Sequence, residues 1–361
     1  MLAYLLRRLI LVIPTFFVII SINFFIIQVA PGGPVEQYIA QQQGIGDINL
    51  LKNRLSGDNA DEVLTTVKSD GYQGAGGLTD EELLIIKQRF GFDKPLLVRY
   101  GIMLKDYMTF NFGDSLFRGG SVVELIVERL PVSITLGLWS MLIVYLISIP
   151  LGIKKALTNQ TKFDYYSTLV LLMTSAIPSF ILAILLIVLF AGGTYWDWFP
   201  LRGLVSNNFD GLSTFAKIKD YFWHITLPVI AMVLTSFAGL TMLTKNLFLE
   251  EISRQYVLTA RAKGLTESAI LYKHIFRNAM LLITSGLPAA VVSIFFGSSL
   301  IIEIIFSLDG LGLLFYETTI QRDYPVIFST LFVFTLLGLI LGIISDFMYA
   351  VIDPRIDFEA K

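Results

Sequence analysis

The 361 residues are more apolar than a soluble protein, because 55% are hydrophobic, only 16% are charged and the mean hydropathy is +0.70, whereas soluble domains carry roughly 25% charged residues. The net charge of −2 gives no reason to expect a nucleic-acid partner. The sequence contains no Cys and only two widely separated His, which excludes disulfides and thiolate metal sites and argues against a His-rich metal site.

Six stretches of the chain are long and apolar enough to cross a membrane as helices. A helix needs about 20 mostly apolar residues to span roughly 30 Å of hydrocarbon, where it satisfies its own backbone hydrogen bonds. The predicted spans are Leu9–Ala30, Ile134–Ile153, Leu169–Phe190, Ile225–Leu243, Leu281–Ile302 and Ile327–Ala350. Prolines inside them, at positions 14, 150, 178, 228 and 288, predict kinks or helix ends. The sequence therefore predicts an all-α integral membrane protein with six transmembrane helices.

The first stretch has two interpretations. Arg7 and Arg8 precede an apolar run that small residues follow, which is the pattern of a signal peptide. The run is longer than a usual signal core, however, and more apolar residues follow Asn23. We therefore favour a retained transmembrane helix within residues 1–30.

Lys and Arg residues concentrate in the loops on one side of the predicted spans. Short loops rich in these residues face the cytoplasm. The rich side holds Arg7, Arg8, Lys154, Lys155, Lys162, Lys245, Arg254, Arg261, Lys263, Lys273, Arg277 and Arg355. Both termini are therefore predicted to be cytoplasmic, with a cytoplasmic tail at 352–361, and alternation of the spans places residues 31–132 outside.

The outer segment 31–132 divides into a glycine-rich first part and a helical second part. Residues 41–77 are polar and glycine-rich, and we predict a loosely ordered insertion. A capping box at Thr79–Glu82 predicts a helix over about Asp80–Phe90. The amphipathic stretch Leu97–Phe112 predicts a second helix, which covers the outer ends of the spans or lies on the membrane surface.

The loop 245–278, between the fourth and fifth predicted spans, carries the most informative pattern in the chain. We predict one helix over Glu250–Lys263, with Gly264 as its left-handed cap. A second helix, Glu267–Arg277, is predicted to start at the N-cap Thr266 and to lead into the fifth span. Such a helix–glycine–helix knuckle is a shape that a partner's cleft can grip.

The middle of this loop offers two kinds of contact. Ala260 and Ala262 are small enough for close approach, whereas Arg261 and Lys263 offer charge-assisted contacts. Composition alone also fits an ordinary basic cytoplasmic loop that obeys the positive-inside rule. The full string of residues is what favours the first interpretation.

The string Thr259-Ala260-Arg261-Ala262-Lys263-Gly264, followed by Arg277-Asn278-Ala279, resembles the coupling loop of type I ABC importer permeases. It is most similar to the peptide and nickel branch, whose members carry Ala-Arg-Ala-Lys-Gly here. Further matching stretches run in the same order along nearly the whole chain: Arg7-Arg8, Ala30–Pro34, Asn111–Ser115, Gly310–Gly312, Arg322–Pro325 and Asp353–Arg355. Within the branch, the details look closest to permeases associated with oligopeptides and the peptide antibiotic microcin C.

The resemblance implies a type I ABC importer permease fold, N-in and C-in, with a core permease domain at 133–351 and a large extracytoplasmic insertion after the first helix. It implies a non-catalytic subunit in a bacterial inner membrane that moves oligopeptides, with microcin C-like peptides as further candidates, from periplasm to cytoplasm by alternating access. The implied partners are a second permease subunit, a cytoplasmic ABC ATPase, a periplasmic peptide-binding protein and membrane lipid, with no nucleic acid.

The resemblance also assigns the site. No catalytic, cofactor-binding or metal site is expected on this chain, because ATP and Mg belong to the partner ATPase and the chain lacks a Gly-x-x-x-x-Gly-Lys-Ser/Thr phosphate-binding string. The implied ATPase-coupling residues are Thr259, Ala260, Arg261, Ala262, Lys263, Gly264 and Arg277.

The loop departs from the family at one position. Many importers of this type open the motif with Glu-Ala-Ala, six residues before the glycine, whereas this chain has Leu258, Thr259 and Ala260. The contact assigned to that Glu therefore does not transfer to this chain.

Topology alone leaves other functions open. A secondary transporter or channel that works without ATP would need buried charged pairs, facing broken helices or a filter ring, and the sequence shows little of these. An intramembrane enzyme would need catalytic acids or His within the spans, and Asp346 alone is too little. Of the remaining acids, Glu303 is predicted at the outer interface, and Asp323 is predicted to pair with Arg322.

Overall fold

A computed structural model describes residues 2–29, 94–193, 195–295 and 300–352, and every regular element in these ranges is helical. The helices are α1 (Leu2–Val29), α2 (Leu96–Met108), α3 (Val122–Leu157), α4 (Lys162–Ala176), α5 (Ser179–Phe190), α6 (Thr214–Ile252), α7 (Gln255–Ala262), α8 (Glu267–Ile270), α9 (Phe276–Phe295), α10 (Leu300–Ile305), α11 (Leu311–Gln321) and α12 (Tyr324–Ile352). A 3₁₀ turn covers Phe209–Gly211, and a π-helical turn, Leu271–Ile275, joins α8 to α9.

Three of the described helices are long and apolar enough to cross a membrane: α3, α6 and the Tyr324–Ile344 part of α12. These three contain or overlap the second, fourth and sixth predicted spans. The α6 helix has 39 residues, about 58 Å at a rise of 1.5 Å per residue, so it is far longer than the hydrocarbon layer requires. Pro150 and Pro228 lie inside α3 and α6 without ending them.

The third predicted span is two helices, because α4 and α5 meet at a bend of 90°. Pro178 is the N-cap of α5, and Ile177 before it is extended, with φ −86° and ψ 120°. A residue that precedes proline is disfavoured in the helical region, so the bend follows from the sequence at this point. If the pair is counted as one broken span, the described residues contain four candidate spans.

The remaining two predicted spans overlap α1 and α9. Within α1, the apolar part described is Ile13–Ile26. The stretch Leu281–Ile302 covers most of α9 and the start of α10, and residues 296–299 between them lie outside the described residues. The predicted insertion at 41–77 and the Asp80–Phe90 helix also lie outside them.

The chain forms two compact units, and the larger comprises Met1–Leu9, Val127–Leu314 and Phe334–Lys361. The core of this unit lies where α3, α5, α6 and α10 meet. Its buried residues include Leu136 of α3, Ala183 of α5, Ala231 of α6 and Ile302 of α10, each at most 1% exposed. In a soluble protein, burial of such side chains stabilises the fold by on the order of 1.5–3 kcal/mol each. In lipid, close packing between helices contributes more of the stabilisation.

The smaller unit comprises Ile10–Ile126 and Phe315–Val333. Here α2 packs on α1, where the Tyr100 hydroxyl lies 2.7 Å from Ser21 Oγ. At the other end of α2, the rings of Tyr107 and Phe332 meet edge to face at 5.1 Å. The helix ends at Met108, earlier than predicted, because Phe110 adopts a positive φ of 55°.

Two family-like stretches meet inside the smaller unit. The buried carboxylate of Asp323 accepts a hydrogen bond of 2.5 Å from Ser115 Oγ and one of 3.3 Å from the backbone N–H of Leu116. The sequence places these groups more than 200 positions apart. The contacts tie the Asn111–Ser115 turn to the start of α12. Burial raises the pKa of the Asp323 carboxyl, and the hydrogen bond from Ser115 partly offsets this rise.

Candidate functional site

The loop 245–278 folds as a knuckle of two short helices, with one departure from prediction. The Glu250–Lys263 helix is not continuous, since α6 ends at Ile252 and α7 begins at Gln255. At the break, the Ser253 hydroxyl donates a 2.7 Å hydrogen bond to the Glu250 carbonyl at the end of α6. Arg254 is extended and serves as the N-cap residue of α7.

The turn at Gly264 has the predicted left-handed conformation, with φ +80°. The backbone N–H of Gly264 donates to the Arg261 carbonyl at 2.9 Å, and that of Leu265 donates to the Ala260 carbonyl at 3.3 Å. These bonds satisfy the carbonyls at the end of α7. A side chain at position 264 would meet no atom within 4 Å, so glycine is required there by the backbone angle and not by space.

The second helix of the knuckle begins as predicted. Thr266 Oγ1 accepts a 3.3 Å hydrogen bond from the backbone N–H of Ala269, which confirms Thr266 as the N-cap of α8. Through the π-helical turn Leu271–Ile275, α8 leads into α9 without a break. Arg277 is exposed in the first turn of α9.

The inner side of the knuckle packs against the ends of the long helices. Val257 and Ala260 of α7 and Ile270 of α8 are buried with Phe248 of α6 and Ala156 of α3. Because Ala260 is only 7% exposed, it fills this internal core and is not available for close approach by a partner, contrary to the expectation from sequence.

The outer side of the knuckle carries the rest of the predicted site residues. Thr259, Arg261, Ala262, Lys263 and Gly264 are all exposed. Just before them, Leu258 is 59% exposed. Exposed leucines are common singly, but this one lies on the face of α7 that the internal core does not use.

Arg261 is paired within the loop. Its Nε donates to Glu267 Oε1 at 2.7 Å, and its Nη2 donates to Oε2 at 3.0 Å, so the ion pair is bidentate and joins α7 to α8 across Gly264. This hydrogen bonding raises the pKa of the Arg261 guanidinium and lowers the pKa of the Glu267 carboxyl. Both groups are therefore charged at neutral pH.

Beside the knuckle lies a buried charge cluster that sequence analysis missed. Lys155 of α3 is fully buried and lies 3.0 Å from Asp164 of α4, and it also donates to Ser167 Oγ at 2.7 Å and Thr168 Oγ1 at 2.6 Å. Lys245 of α6 donates to both oxygens of Asp164, at 2.8 and 2.7 Å. One carboxylate thus joins three helices. The sequence shows both lysines only as basic residues of the cytoplasmic side.

Glu303 is a second group that sequence analysis misplaced. It is fully buried inside the protein, and its Oε2 accepts a 2.7 Å hydrogen bond from the backbone N–H of Leu313. A Cβ at Gly310 would lie 2.5 Å from the Glu303 carboxylate, and one at Gly312 would lie 3.1 Å from it. Because α11 starts against this acid, both positions favour glycine. A negative group at a helix N-terminus is also electrostatically favourable.

Comparison with known proteins identifies the family. The model of the family "Binding-protein-dependent transport system inner membrane component" matches residues 148–358. The chain belongs to this family. The match includes the whole knuckle and both buried acid sites of the larger unit, Asp164 and Glu303.

Full-length relatives agree with the family match. The chain is 57% identical to the inner membrane ABC transporter permease protein YejB of Escherichia coli O157:H7, over 99% of this chain and 100% of that one. It is 54% identical to the peptidoglycan transport system permease protein YejB of Agrobacterium fabrum, over 99% of both chains. It is 32% identical to the oligopeptide transport system permease protein AppB of Bacillus subtilis, over 99% of this chain and 100% of that one.

Family membership fixes the coarse description of the molecule. The chain is an inner-membrane ABC transporter permease with the all-helical type I importer permease fold. Permease subunits of this kind are non-catalytic, and they work with ATPase and substrate-binding partners.

Proposed function

We propose that this permease carries short peptides from the periplasm to the cytoplasm, and that the knuckle 245–278 is where its ATPase binds. The main support is the geometry of the knuckle: two helices held at a left-handed Gly264, packed on the ends of α3 and α6, with the predicted contact residues other than Ala260 on the outside.

The proposed topology has six spans with both termini in the cytoplasm. Lys and Arg in the short loops support it, because they concentrate on the side that includes the knuckle. The core permease domain would then occupy 133–351, with residues 31–132 in the periplasm and residues 352–361 as a cytoplasmic tail.

The proposed substrate class follows from what the relatives' names share. One relative is named for peptidoglycan transport and another for oligopeptide transport. Peptidoglycan contains short peptides, so a peptide of a few residues is the chemistry common to both. Microcin C-like peptides belong to the same proposed class.

The proposed complex contains this chain, a second permease subunit, a cytoplasmic ATPase and a periplasmic peptide-binding protein. ATP and Mg would bind the ATPase, and this chain would hold no cofactor. Closure of the ATPase on ATP would move the knuckle, and α3 and α6 would carry that motion into the membrane. Such a switch requires that the ATPase contact the knuckle differently in the two states.

The test uses Gly264→Val with Gly101→Val as its matched control. Valine at position 264 is strained by the positive φ, whereas position 101 is in α2 with no atom within 4 Å of an added Cβ. The variants would be expressed in cells that lack the native chain. We expect Gly264→Val to reach the membrane at normal level but to lose uptake of a labelled tripeptide, while Gly101→Val keeps it.

Three measurements separate the possible results: the amount of permease in the membrane, the ATPase that copurifies in mild detergent, and peptide uptake. Normal uptake by Gly264→Val would show that the Gly264 turn of the knuckle is not needed for transport, and would contradict the proposal. Transport by the wild-type chain with no ATPase recovered in several detergents would favour the alternative, a secondary transporter or channel that works without ATP.

A further inference from the structure

Helix α7 has two faces with different tasks. Its inner face carries Val257 and Ala260, three positions apart, and both are buried in the core of the knuckle. Its outer face carries Leu258, Arg261 and Ala262, at the i, i+3 and i+4 spacing that aligns side chains along one side of a helix. This outer face is the surface that a partner would meet.

Arg261, the cation on this face of α7, is already paired, whereas Lys263 just beyond the helix is exposed. Arg261 uses two of its nitrogens on the two carboxylate oxygens of Glu267, at 2.7 and 3.0 Å. The pair bridges the Gly264 turn and so links the last turn of α7 to the first turn of α8. A partner that recruited Arg261 to one of its own acids would have to break this bidentate pair and loosen the turn.

The apolar side chain on the same face, that of Leu258, is largely exposed. Leu258 is 59% exposed; beside it Ala262 is small, and the longer side chain of Arg261 is bound to Glu267. An exposed leucine whose long neighbour is held by another residue of the loop is suited to insertion into a pocket of a partner.

We propose that the knuckle binds the ATPase through Leu258, inserted into an apolar pocket of that subunit, and that Arg261 positions the loop by bracing its turn through Glu267. This inference rests on the proposed function of the knuckle and specifies the chemistry of the contact. The ATPase is the occupant that fits, because the relatives of this chain are permeases of ABC transporters and the Arg261 charge on this face is already paired with Glu267.

The experiment measures the affinity of the purified ATPase for the permease complex in detergent. We expect Leu258→Ala to weaken binding about tenfold, the loss that corresponds to ~1.4 kcal/mol of apolar burial, and Leu258→Met to keep most of it. We expect Arg261→Glu and Glu267→Arg each to weaken binding and coupled transport, and the double swap Arg261→Glu/Glu267→Arg to restore both. Because apolar contact is not screened, the weakening caused by Leu258→Ala should be nearly the same at low and high salt.

Each outcome decides. A double swap as weak as Arg261→Glu alone would show that Arg261 meets an acid on the ATPase, and it would overturn the bracing role while the wild-type complex still supports the proposed function. Unchanged affinity of Leu258→Ala would overturn the apolar anchor. All these positions are exposed, so normal membrane levels are expected and serve as the control for folding. Failure of the wild-type chain to bind the ATPase would overturn the proposed function and this inference together.

Discussion

The buried cluster of Asp164, Lys155 and Lys245 gives a sharp test of what holds the cytoplasmic half of this permease together. The perturbation is Asp164→Asn, which removes the only charge that balances the two lysines within the cluster but keeps the shape of the side chain. Lys155 is 0% exposed, so its ammonium cannot turn to water when the carboxylate is neutralised.

The expected cost follows from that burial. Removal of one partner of a buried ion pair costs about 3–5 kcal/mol, because the other charge is left uncompensated. Lys245→Met should cost less, about 1.5–3 kcal/mol for the loss of hydrogen bonds to a charged group, since Asp164 keeps Lys155 and a 3.1 Å hydrogen bond from the Gln160 N–H. The control is Arg254→Gln in the exposed pair with Glu250 four residues away, where about 0.3–0.5 kcal/mol is expected.

The assay is unfolding of the detergent-purified permease by titration with a denaturing detergent, followed by circular dichroism. The order of destabilisation should be Asp164→Asn, then Lys245→Met, then Arg254→Gln. If Asp164→Asn costs no more than Arg254→Gln, the cluster reasoning is wrong. Lys155 would then be satisfied by Ser167, Thr168 and the Asp164 carbonyl alone, and the carboxylate would contribute nothing.

Three further predictions concern close packing and burial. Gly152→Ala should destabilise the protein by about 1–3 kcal/mol through overpacking, because its Cβ would lie 2.5 Å from a threonine Cβ of α6. The control Gly239→Ala, at a position with open space, should be neutral or stabilising. Equal thermal midpoints for these two variants would refute the prediction. Gly310→Ala should also destabilise the protein by about 1–3 kcal/mol, since the added Cβ displaces the Glu303 carboxylate. The titration with denaturing detergent measures this loss. The raised pKa of Asp323 means that the folded state holds this proton more tightly, so the stability that this group contributes is lost as pH rises through that pKa. Asp323→Asn should therefore flatten the dependence of the thermal midpoint on pH. An unchanged slope would contradict the raised pKa of Asp323.

The sequence predicted those features that depend on neighbouring residues. The apolar runs predicted the long helices because hydrophobic length is a local property, and Pro178 predicted a helix end for the same reason. Thr266 and Gly264 were predicted as caps because capping involves only residues within one turn. The break between Ile252 and Gln255 was not predicted, since serine hydroxyls that bond back to helix carbonyls also occur inside unbroken helices of this chain.

What the sequence did not predict depends on contacts between distant positions. The two lysines looked like ordinary basic loop residues, and only the fold brings α6 against the start of α4. Glu303 looked interfacial because it follows an apolar run, yet the start of α11 folds over it. The closeness of Gly310 and Gly312 to Glu303 in the sequence was the available signal for the buried Glu303 site.

The charge cluster and the knuckle are adjacent parts of one structure, and this adjacency explains how a loop can act on the membrane helices. Lys155 of the cluster is followed at once by Ala156 of the knuckle core, and Lys245 is followed three positions later by Phe248 of the same core. Positions three apart in a helix lie on one side, as 245 and 248 do in α6. In α3 the adjacent positions 155 and 156 reach the cluster and the knuckle core, so each helix offers one residue to each. A force on α7 would therefore reach two long helices through packed side chains, while Asp164 keeps those helices from separating. It follows that substitutions on the outer face of α7 should change ATPase binding, whereas loss of the Asp164 cluster should leave binding intact and weaken the link between ATP hydrolysis and transport.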